Sequence, residues 1–448
     1  MSRKKLTVDA ELEKLQHDSF NYFLHETNPA NGLVIDKTEA DWPASIAATG
    51  LALAAYPVGV ERGFMPRAAA VEQTLTTLRF FWNSPQGPEP DATGYRGFYY
   101  HFLDMQTGRR AWQCELSTID SAFLLAGALT AAIYFAADTR DEQEIHTLAD
   151  ALYRRADWQW AQDGGPTVTH GWKPESGFLK YRWKGYDEAL LLYILGLGSP
   201  THPLPEESYA AWASTYQWEH CYGYDYLYAG PLFTHQLSHI WVDFRGIQDA
   251  FMRAKGIDYF ENSRRATYVQ RQYAINNPLK FAHYGEHCWG LTASEGPGPD
   301  TINLAGIERQ FFDYAGRGVP YGPDDGTIAP WAVAASLPFA PEIVLPVLEY
   351  CIHEIKLTES NRYGFKASFN PTYPAASGNP HGWVSPWHFG LNEGPTILMI
   401  ENYRTGLLWR LMRNCPYIVG GLRRAGFWGG WVMTSVEGNR SKPVTMNA

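Results

Sequence analysis

The chain has 448 residues, 45% hydrophobic and 19% charged, the balance of a folded globular protein rather than a disordered one. Its net charge of −10, with no basic stripe, disfavours a nucleic-acid partner, and no uninterrupted apolar run is long enough to span a bilayer. The outlier is the aromatic fraction of 15%, in which Trp and Tyr cluster with Gly, Pro and carboxylates in loops where core packing alone does not explain them.

Helical periodicity dominates the chain. It predicts helices at residues 9–25, 42–56, 66–82, 116–137, 141–160, 186–197, 206–218, 236–255, 259–276, 328–336, 341–355 and 395–413. Strand signals are short, at 97–101, 177–183 and 364–368, and would form small β-hairpins in loops. No βαβ alternation, dinucleotide fingerprint or phosphate loop occurs. A chain this long exceeds the roughly 250–300 residues at which cores usually split, and a closed toroid with one continuous core escapes that limit. With no linker to divide it, the expectation is one all-α domain over residues 1–448. Six helical hairpins would close into an (α/α)6 toroid, with a polar, loosely held tail after about residue 431.

Further absences narrow the chemistry. The five cysteines (114, 221, 288, 351 and 415) are scattered without a CxxC pair, which argues against a disulfide framework or a thiolate zinc site. His235 and His239 share a helical spacing of i, i+4 but lack a third ligand, so no metal and no cofactor is expected. The start Arg3-Lys4-Lys5 runs into Leu6-Thr-Val-Asp-Ala rather than an apolar leader core. The expected compartment is the cytoplasm as written, or the periplasm if a leader was removed.

Candidate chemistry lies where carboxylates meet aromatics at helix starts. Trp112-Gln-Cys-Glu115-Leu-Ser-Thr-Ile-Asp120 precedes an apolar helix, and here simple capping by the acids is the competing reading. Trp172-Lys-Pro-Glu175 is followed by Trp183-Lys-Gly-Tyr186-Asp187-Glu188, and burial of Glu188 beside Trp183 and Tyr186 would raise its pKa toward that of a general acid. Trp383, Trp387 and His388 come just before Glu393 and Gly394-Pro395, the expected opening of the last long helix. Arg245 reads first as an ion-pair partner of Asp243; Glu286 and Trp289 fall in a turn-like segment. Glu115, Glu188 and Glu393 are remote in sequence, yet each lies at or near the N-terminus of an apolar helix. If the inner helices of a toroid run parallel, these acids converge on one aromatic-lined mouth, as glycoside hydrolysis requires.

Several motifs in order, among them Phe98-Tyr-Tyr-His-Phe-Leu-Asp-Met, His170-Gly-Trp-Lys-Pro-Glu-Ser-Gly-Phe-Leu, Ser199-Pro-Thr-His-Pro-Leu, Phe244-Arg-Gly-Ile-Gln-Asp-Ala, Cys288-Trp-Gly-Leu-Thr-Ala-Ser and Ile400-Glu-Asn-Tyr-Arg-Thr-Gly, resemble the bacterial glucoamylase-like domain. That group includes the β-1,2-glucanases of glycoside hydrolase family 144 and domains of cyclic β-1,2-glucan synthases. The resemblance runs from about residue 10 to about residue 430. It implies the (α/α)6 toroid, action on glucans and no required metal, and it matches Glu188 to the family's acidic position. Where the family commonly carries Asp, this chain has Ala367 and Asn392, and it has Glu393 where the family has Gln; the loop over 370–387 is also longer.

The sequence therefore predicts a glycosidase on glucan, most readily β-1,2-linked, acting by inversion on an oligo- or polysaccharide. Glu188 would be the acid and Glu393 the base, with Glu115 and Asp120 contacting or tuning the sugar. Trp172, Trp183, Trp289, Trp383 and Trp387 would stack on sugar rings, and Tyr186, Asp187, Arg245, Glu286 and His388 would complete the binding site. Alternatives are a transglycosylase, an exo-acting enzyme on another α- or β-linked sugar, and a carbohydrate-binding protein without catalysis.

Overall fold

The architecture was analysed in a computed structural model, which describes residues 3–359, 361–374, 379 and 381–434. The chain is helix-rich. It opens with α1 (Arg3–His25), α2 (Ile46–Glu61), α3 (Arg67–Asn83), α4 (Thr118–Tyr134) and α5 (Arg140–Arg155). The middle carries α6 (Leu190–Gly198), α7 (Glu207–Ala213), α8 (Ala250–Lys255) and α9 (Tyr259–Asn276). The last part holds α10 (Pro330–Ala335), α11 (Pro341–His353), α12 (Gly390–Arg404), α13 (Leu407–Met412), α14 (Pro416–Arg424) and α15 (Gly430–Thr434).

The helices divide by their surroundings. In α2, α4, α6 and α10 almost every residue is buried, whichever way it faces, as expected of interior helices with no polar stripe. In contrast, α5 buries only Glu142, Ile145, Ala149, Leu152 and Tyr153 and sends its charges outward. Interior helices pack side by side as α4–α2–α12–α10, with α6 against α4; α1 covers α12, α14 covers α6, and α3 pairs with α5 outside.

Two interior helices start in the same way. Ala44–Ser45 pairs with Phe102–Leu103, and the Ser45 hydroxyl then caps α2 by accepting from the Ala48 amide. Leu116–Ser117 lies in a five-stranded antiparallel sheet, and the Ser117 hydroxyl caps α4 by accepting from the Asp120 amide. The sheet runs in the order Gly94–Tyr95, Phe98–Tyr100, Leu116–Ser117, Gly171–Lys173, Gly177–Phe178. These strands fix the height of the helix starts, and with them the residues that face the opening.

Three sequence expectations are corrected. The predicted helix over 236–255 gives way to the 3-10 turn Leu237–Ile240, which follows another at Leu232–His235, and to the short α8. Asp243 turns back to accept the Arg245 amide and guanidinium, Gly246 takes a left-handed φ of +71°, and Asp249 caps α8 afresh. The last long helix begins at Gly390, five residues before Pro395, because the Gly390 amide is tied to the Asp36 carbonyl and Lys37 bridges to Phe389. The strand expected at 364–368 falls instead at Phe369–Asn370, paired with Trp383–Val384. Hairpins at Trp218–Cys221 with Tyr224–Leu227 and at Asp300–Leu304 with Ile307–Phe311, together with α14 and α15, were not predicted. The expected tail overlaps α15 and then lies outside the described residues, as does part of the lengthened 370–387 loop.

Helices α2 and α4 cross at bare backbone. A Cβ on Gly127 would sit 1.9 Å from the Gly50 carbonyl oxygen, and one on Gly50 would sit 2.5 Å from the Leu124 Cα. Because the obstruction is backbone, no rotamer change relieves it. Gly127→Ala is expected to lower unfolding free energy by about 1–3 kcal/mol, the usual range for overpacking, despite alanine's better helix propensity. Urea denaturation of wild type and variant checks this; an unchanged or raised midpoint would show that the two helices can separate freely.

Candidate active site

The N-terminal ends of the interior elements surround a cavity of about 320 Å³. Glu115, Ser117 and Asp120 enter from the start of α4 and Glu188 from just before α6; Phe233 comes from a 3-10 turn, Trp331 from α10, and Leu391 and Asn392 from α12. A second cavity of about 430 Å³ carries Asp36, Lys37, Trp42, Phe102, Glu295 and Asp313. Four residues, His101, Tyr314, Leu391 and Asn392, line both, so the two form the lobes of one cleft with a shared waist.

His101 organises the acids at that waist. Its Nδ1 lies 2.9 Å from Glu115 Oε1 and its Nε2 lies 3.6 Å from Asp120 Oδ2, while its ring stacks on Phe102 at 4.0 Å. Backbone bonds fix the ring's root: the His101 amide donates to the Glu115 carbonyl, and the His101 carbonyl accepts from the Ile46 amide. Burial disfavours the charged imidazole, but the charges of Asp120, Glu115 and Asp36 outweigh it and lift His101 to about 9. At neutral pH the ring is therefore an imidazolium. Burial also works against ionised Glu115, yet the hydrogen bond and charge of His101 hold its carboxyl below the usual range. Asp120 accepts a short hydrogen bond from the Ser117 hydroxyl that also caps the helix.

Among the described residues, Glu188 has no such cationic partner. Burial, followed by repulsion from the adjacent Asp187 carboxylate, pushes its carboxyl well above the ordinary range, and Asp120 adds to the push. Asp187 itself turns away from the cavity, accepting from the Trp212 indole and the Ala189 amide at 3.0 Å each. Across the waist, burial raises Asp36 to about 6 against the opposing effects of His101, the Trp42 indole and Lys37. The cleft thus holds carboxyls of two kinds, Glu115 held anionic by a cation and Asp36 and Glu188 raised by desolvation, so that anionic groups and a potential proton donor share it.

Loops complete the second lobe. Lys37 Nζ lies over Trp42 at 3.9 Å, pairs with Glu39 at 2.6 Å and reaches Glu295 at 3.5 Å. Glu295 is in turn fixed by the Ser385 hydroxyl at 2.6 Å. The loop that carries Asp313 and Tyr314 is anchored by a fully buried bidentate pair, Arg317–Asp325, with Arg317 also donating to the Ser294, Phe312 and Asp313 carbonyls. Tyr314 projects from it, 59% exposed, into the field of Asp36, Asp120 and Glu188.

Of the residues singled out from sequence, Glu188, Glu115, Asp120 and Trp183 meet in the cleft. Trp183 is locked there by its indole bond to the Thr118 hydroxyl and by stacking on His170 at 3.8 Å. The others stand elsewhere. Trp172 packs on Tyr95 and Trp160, Trp289 is wholly buried in the core, and Trp383 sits in its two-residue strand. Tyr186 packs among Tyr216, Tyr259 and His235 and lines a separate polar pocket, while Trp387 stands behind the second lobe, its ring near Lys37 and its amide donating to Ser385. Arg245 pairs with Asp243 and lies over Trp409; exposed Glu286 pairs with Arg271. His235 and His239, on 3-10 turns rather than one helix, bond the Ala229 carbonyl and the Ser263 hydroxyl, and burial pushes them down to about 4 and 3. Sequence reasoning missed Asp36, Trp42, His101 and Tyr314, and read Glu295 only as part of the turn-like segment that holds Glu286 and Trp289. Of the four, only His101 carried a signal, in the motif Phe98-Tyr-Tyr-His-Phe.

Glu393 is the main correction. Because α12 starts at Gly390, Asn392 and Glu393 are successive helical positions about 100° apart. Asn392 takes the cleft, and Glu393 is buried 3.2 Å from His388 Nδ1, facing α1. Burial lifts the Glu393 carboxyl well above its usual range and drops His388 to about 3, so this is a neutral hydrogen bond and not an ion pair. The folded state holds the Glu393 proton more tightly than the unfolded state, so this residue makes stability fall as pH rises above the ordinary glutamate range. Glu393→Gln is expected to gain about 1 kcal/mol or more at pH 7–8 relative to wild type, with the gain vanishing near pH 4 and activity within a few-fold. Denaturation at several pH values with parallel assays checks both; a hundredfold loss of activity would restore Glu393 as a catalytic base.

Comparison with known proteins identifies the family. Residues 180–416 match the family model Glycoamylase, described as "Putative glucoamylase". A crystal structure of a protein with the same description from Bacteroides uniformis superposes with a TM-score of 0.83 at 32% identity, covering 95% of this chain and 98% of that one. The endo-β-1,2-glucanase of Chitinophaga pinensis, solved with sophorotriose and glucose, gives a TM-score of 0.82 at 25% identity over 95% and 99% of the two chains. An exo-β-1,2-glucooligosaccharide sophorohydrolase of Parabacteroides distasonis is 27% identical over 94% of this chain, which spans only 58% of that relative's length. On the matched family model and the full-length likeness at 32% identity, this chain belongs to the glucoamylase-like family.

Proposed function

We propose that this protein is a glycoside hydrolase acting on β-1,2-linked glucan or its oligosaccharides, with Glu188 as proton donor and Asp120 as base. The observation that carries the reading is the meeting of Asp36, Glu115 with Asp120, and Glu188 from three chain segments in one cleft, where Glu188 is desolvated and has no cationic partner among the described residues. The Glu188 O–H would protonate the glycosidic oxygen as its bond to C1 breaks. Asp120 would take a proton from the water whose oxygen joins C1, and proton exchange with solvent would reset both groups. His101 and Ser117 fix the Asp120 carboxylate in place, and inversion is the stereochemical outcome this reading assigns.

The linkage is inferred from the named activities of the Chitinophaga pinensis and Parabacteroides distasonis relatives. The same reading takes the helices as an (α/α)6 toroid. Six inner elements, α2, α4, α6, the 3-10 pair at 232–240, α10 and α12, have cleft residues at or just before their N-terminal ends, as a closed ring would require.

Incubation with linear β-1,2-glucan beside α- and other β-glucans, followed by chromatography of products, tests the substrate. Glu188→Gln is expected to cut turnover by a factor of about 10² or more. Because Glu188 must be protonated and its pKa is raised, wild-type activity should persist well above the ordinary carboxyl range and fall as pH rises through the raised value. NMR of the first-formed anomer should show inversion. Binding of glucan without turnover would make the protein a carbohydrate-binding one, and full activity in Glu188→Gln would remove the assignment.

A further inference from the structure

We infer that Trp112, with Trp42 and Phe102, forms an aromatic ledge that binds a glucan unit at the outer end of the second lobe, so that this residue sets the preference for longer chains; this rests on the functional reading above. Trp42 and Phe102 are wall residues of the second lobe. Trp42 donates from its indole to Asp36 at 3.1 Å, and Phe102 lies flat on His101, so both rings are tied to the acid cluster. Trp112 packs edge-on against Trp42 at 4.6 Å between centroids and tilted against Phe102 at 5.2 Å. Its indole is nevertheless 56% exposed, which a core role does not explain.

The chain is built to hold it there. Trp112 and Gln113 both take left-handed φ, +52° and +51°, a conformation that non-glycine residues adopt rarely and that persists only where the surroundings enforce it. Arg110 supplies the enforcement. Its guanidinium donates to the Cys114 carbonyl at 2.6 Å and the Gln113 carbonyl at 2.7 Å, and it is clamped by Glu175 at 2.6 and 3.1 Å. The Ala111 amide closes the turn onto the Phe102 carbonyl. A rigid, solvent-facing indole continuous with a carboxylate-lined sugar cleft offers an apolar face to the C–H surface of a pyranose ring.

The test compares Trp112→Ala, Trp112→Tyr and wild type on β-1,2-linked glucooligosaccharides of increasing length. The expected result is a loss of about five- to tenfold in kcat/KM for Trp112→Ala on the longer chains, carried by KM, with the shortest hydrolysed chain changed less than about twofold. Trp112→Tyr should recover most of the loss. Equal effects at every length, or none, would overturn the ledge while leaving the hydrolase reading intact. Absence of wild-type turnover on every β-1,2-linked chain would overturn both. An unchanged melting temperature shows that Trp112→Ala still folds.

Discussion

The close approach of α2 and α4 at Gly50 and Gly127 is the constraint on which the cleft depends. Side chains at these positions would push the helices apart by more than packing could recover, since each glycine faces the other helix's backbone. Only at this spacing do two capping serines, Ser45 and Ser117, stand close enough for one short strand pair on each side of His101 to link them. The Ile46 amide bonds the His101 carbonyl, and the His101 amide bonds the Glu115 carbonyl. Helix packing deep in the core therefore sets the relation between Asp36 and Trp42 on one side and Glu115 and Asp120 on the other.

Electrostatics at the waist follow from that geometry. Three carboxylates gather around one imidazole, and their combined field outweighs the desolvation of the ring. The resulting cation holds Glu115 down, while Glu188, beyond reach of a hydrogen bond from it, is governed by burial and by Asp187. A cleft lined only by paired acids could bind sugar hydroxyls but would lack a proton donor at neutral pH. A cleft lined only by desolvated acids would lack an anionic base.

The loops contribute position more than charge. Arg317 and Asp325 are both wholly buried, and removing either partner would strand the other at a cost of about 3–5 kcal/mol. What they secure is the segment bearing Asp313 and Tyr314 over the waist. Lys37 has a similar part in the second lobe, drawing Trp42, Glu39 and Glu295 together around one ammonium. Exposed Trp112 departs from that pattern: its turn is fully braced, yet its ring meets solvent.

Sequence periodicity located most of the long helices, and a fully apolar run such as Ala189-Leu-Leu-Leu-Tyr-Ile-Leu is stable only when buried on all faces. It also located Glu115, Asp120 and Glu188, since carboxylates before such runs mark helix starts, and helix starts share the cleft. It failed where tertiary contacts overrule local signals. Gly394-Pro395 reads as a helix opening, but the tie from Gly390 to Asp36 begins α12 earlier and turns Glu393 into the core in favour of Asn392. Trp289 looked like a sugar platform because composition cannot tell an indole in a core from one on a wall. Asp36 and Tyr314 were invisible for the complementary reason. Each lies in an irregular segment without periodicity, and its role arises only from chain segments hundreds of residues apart being held at one waist.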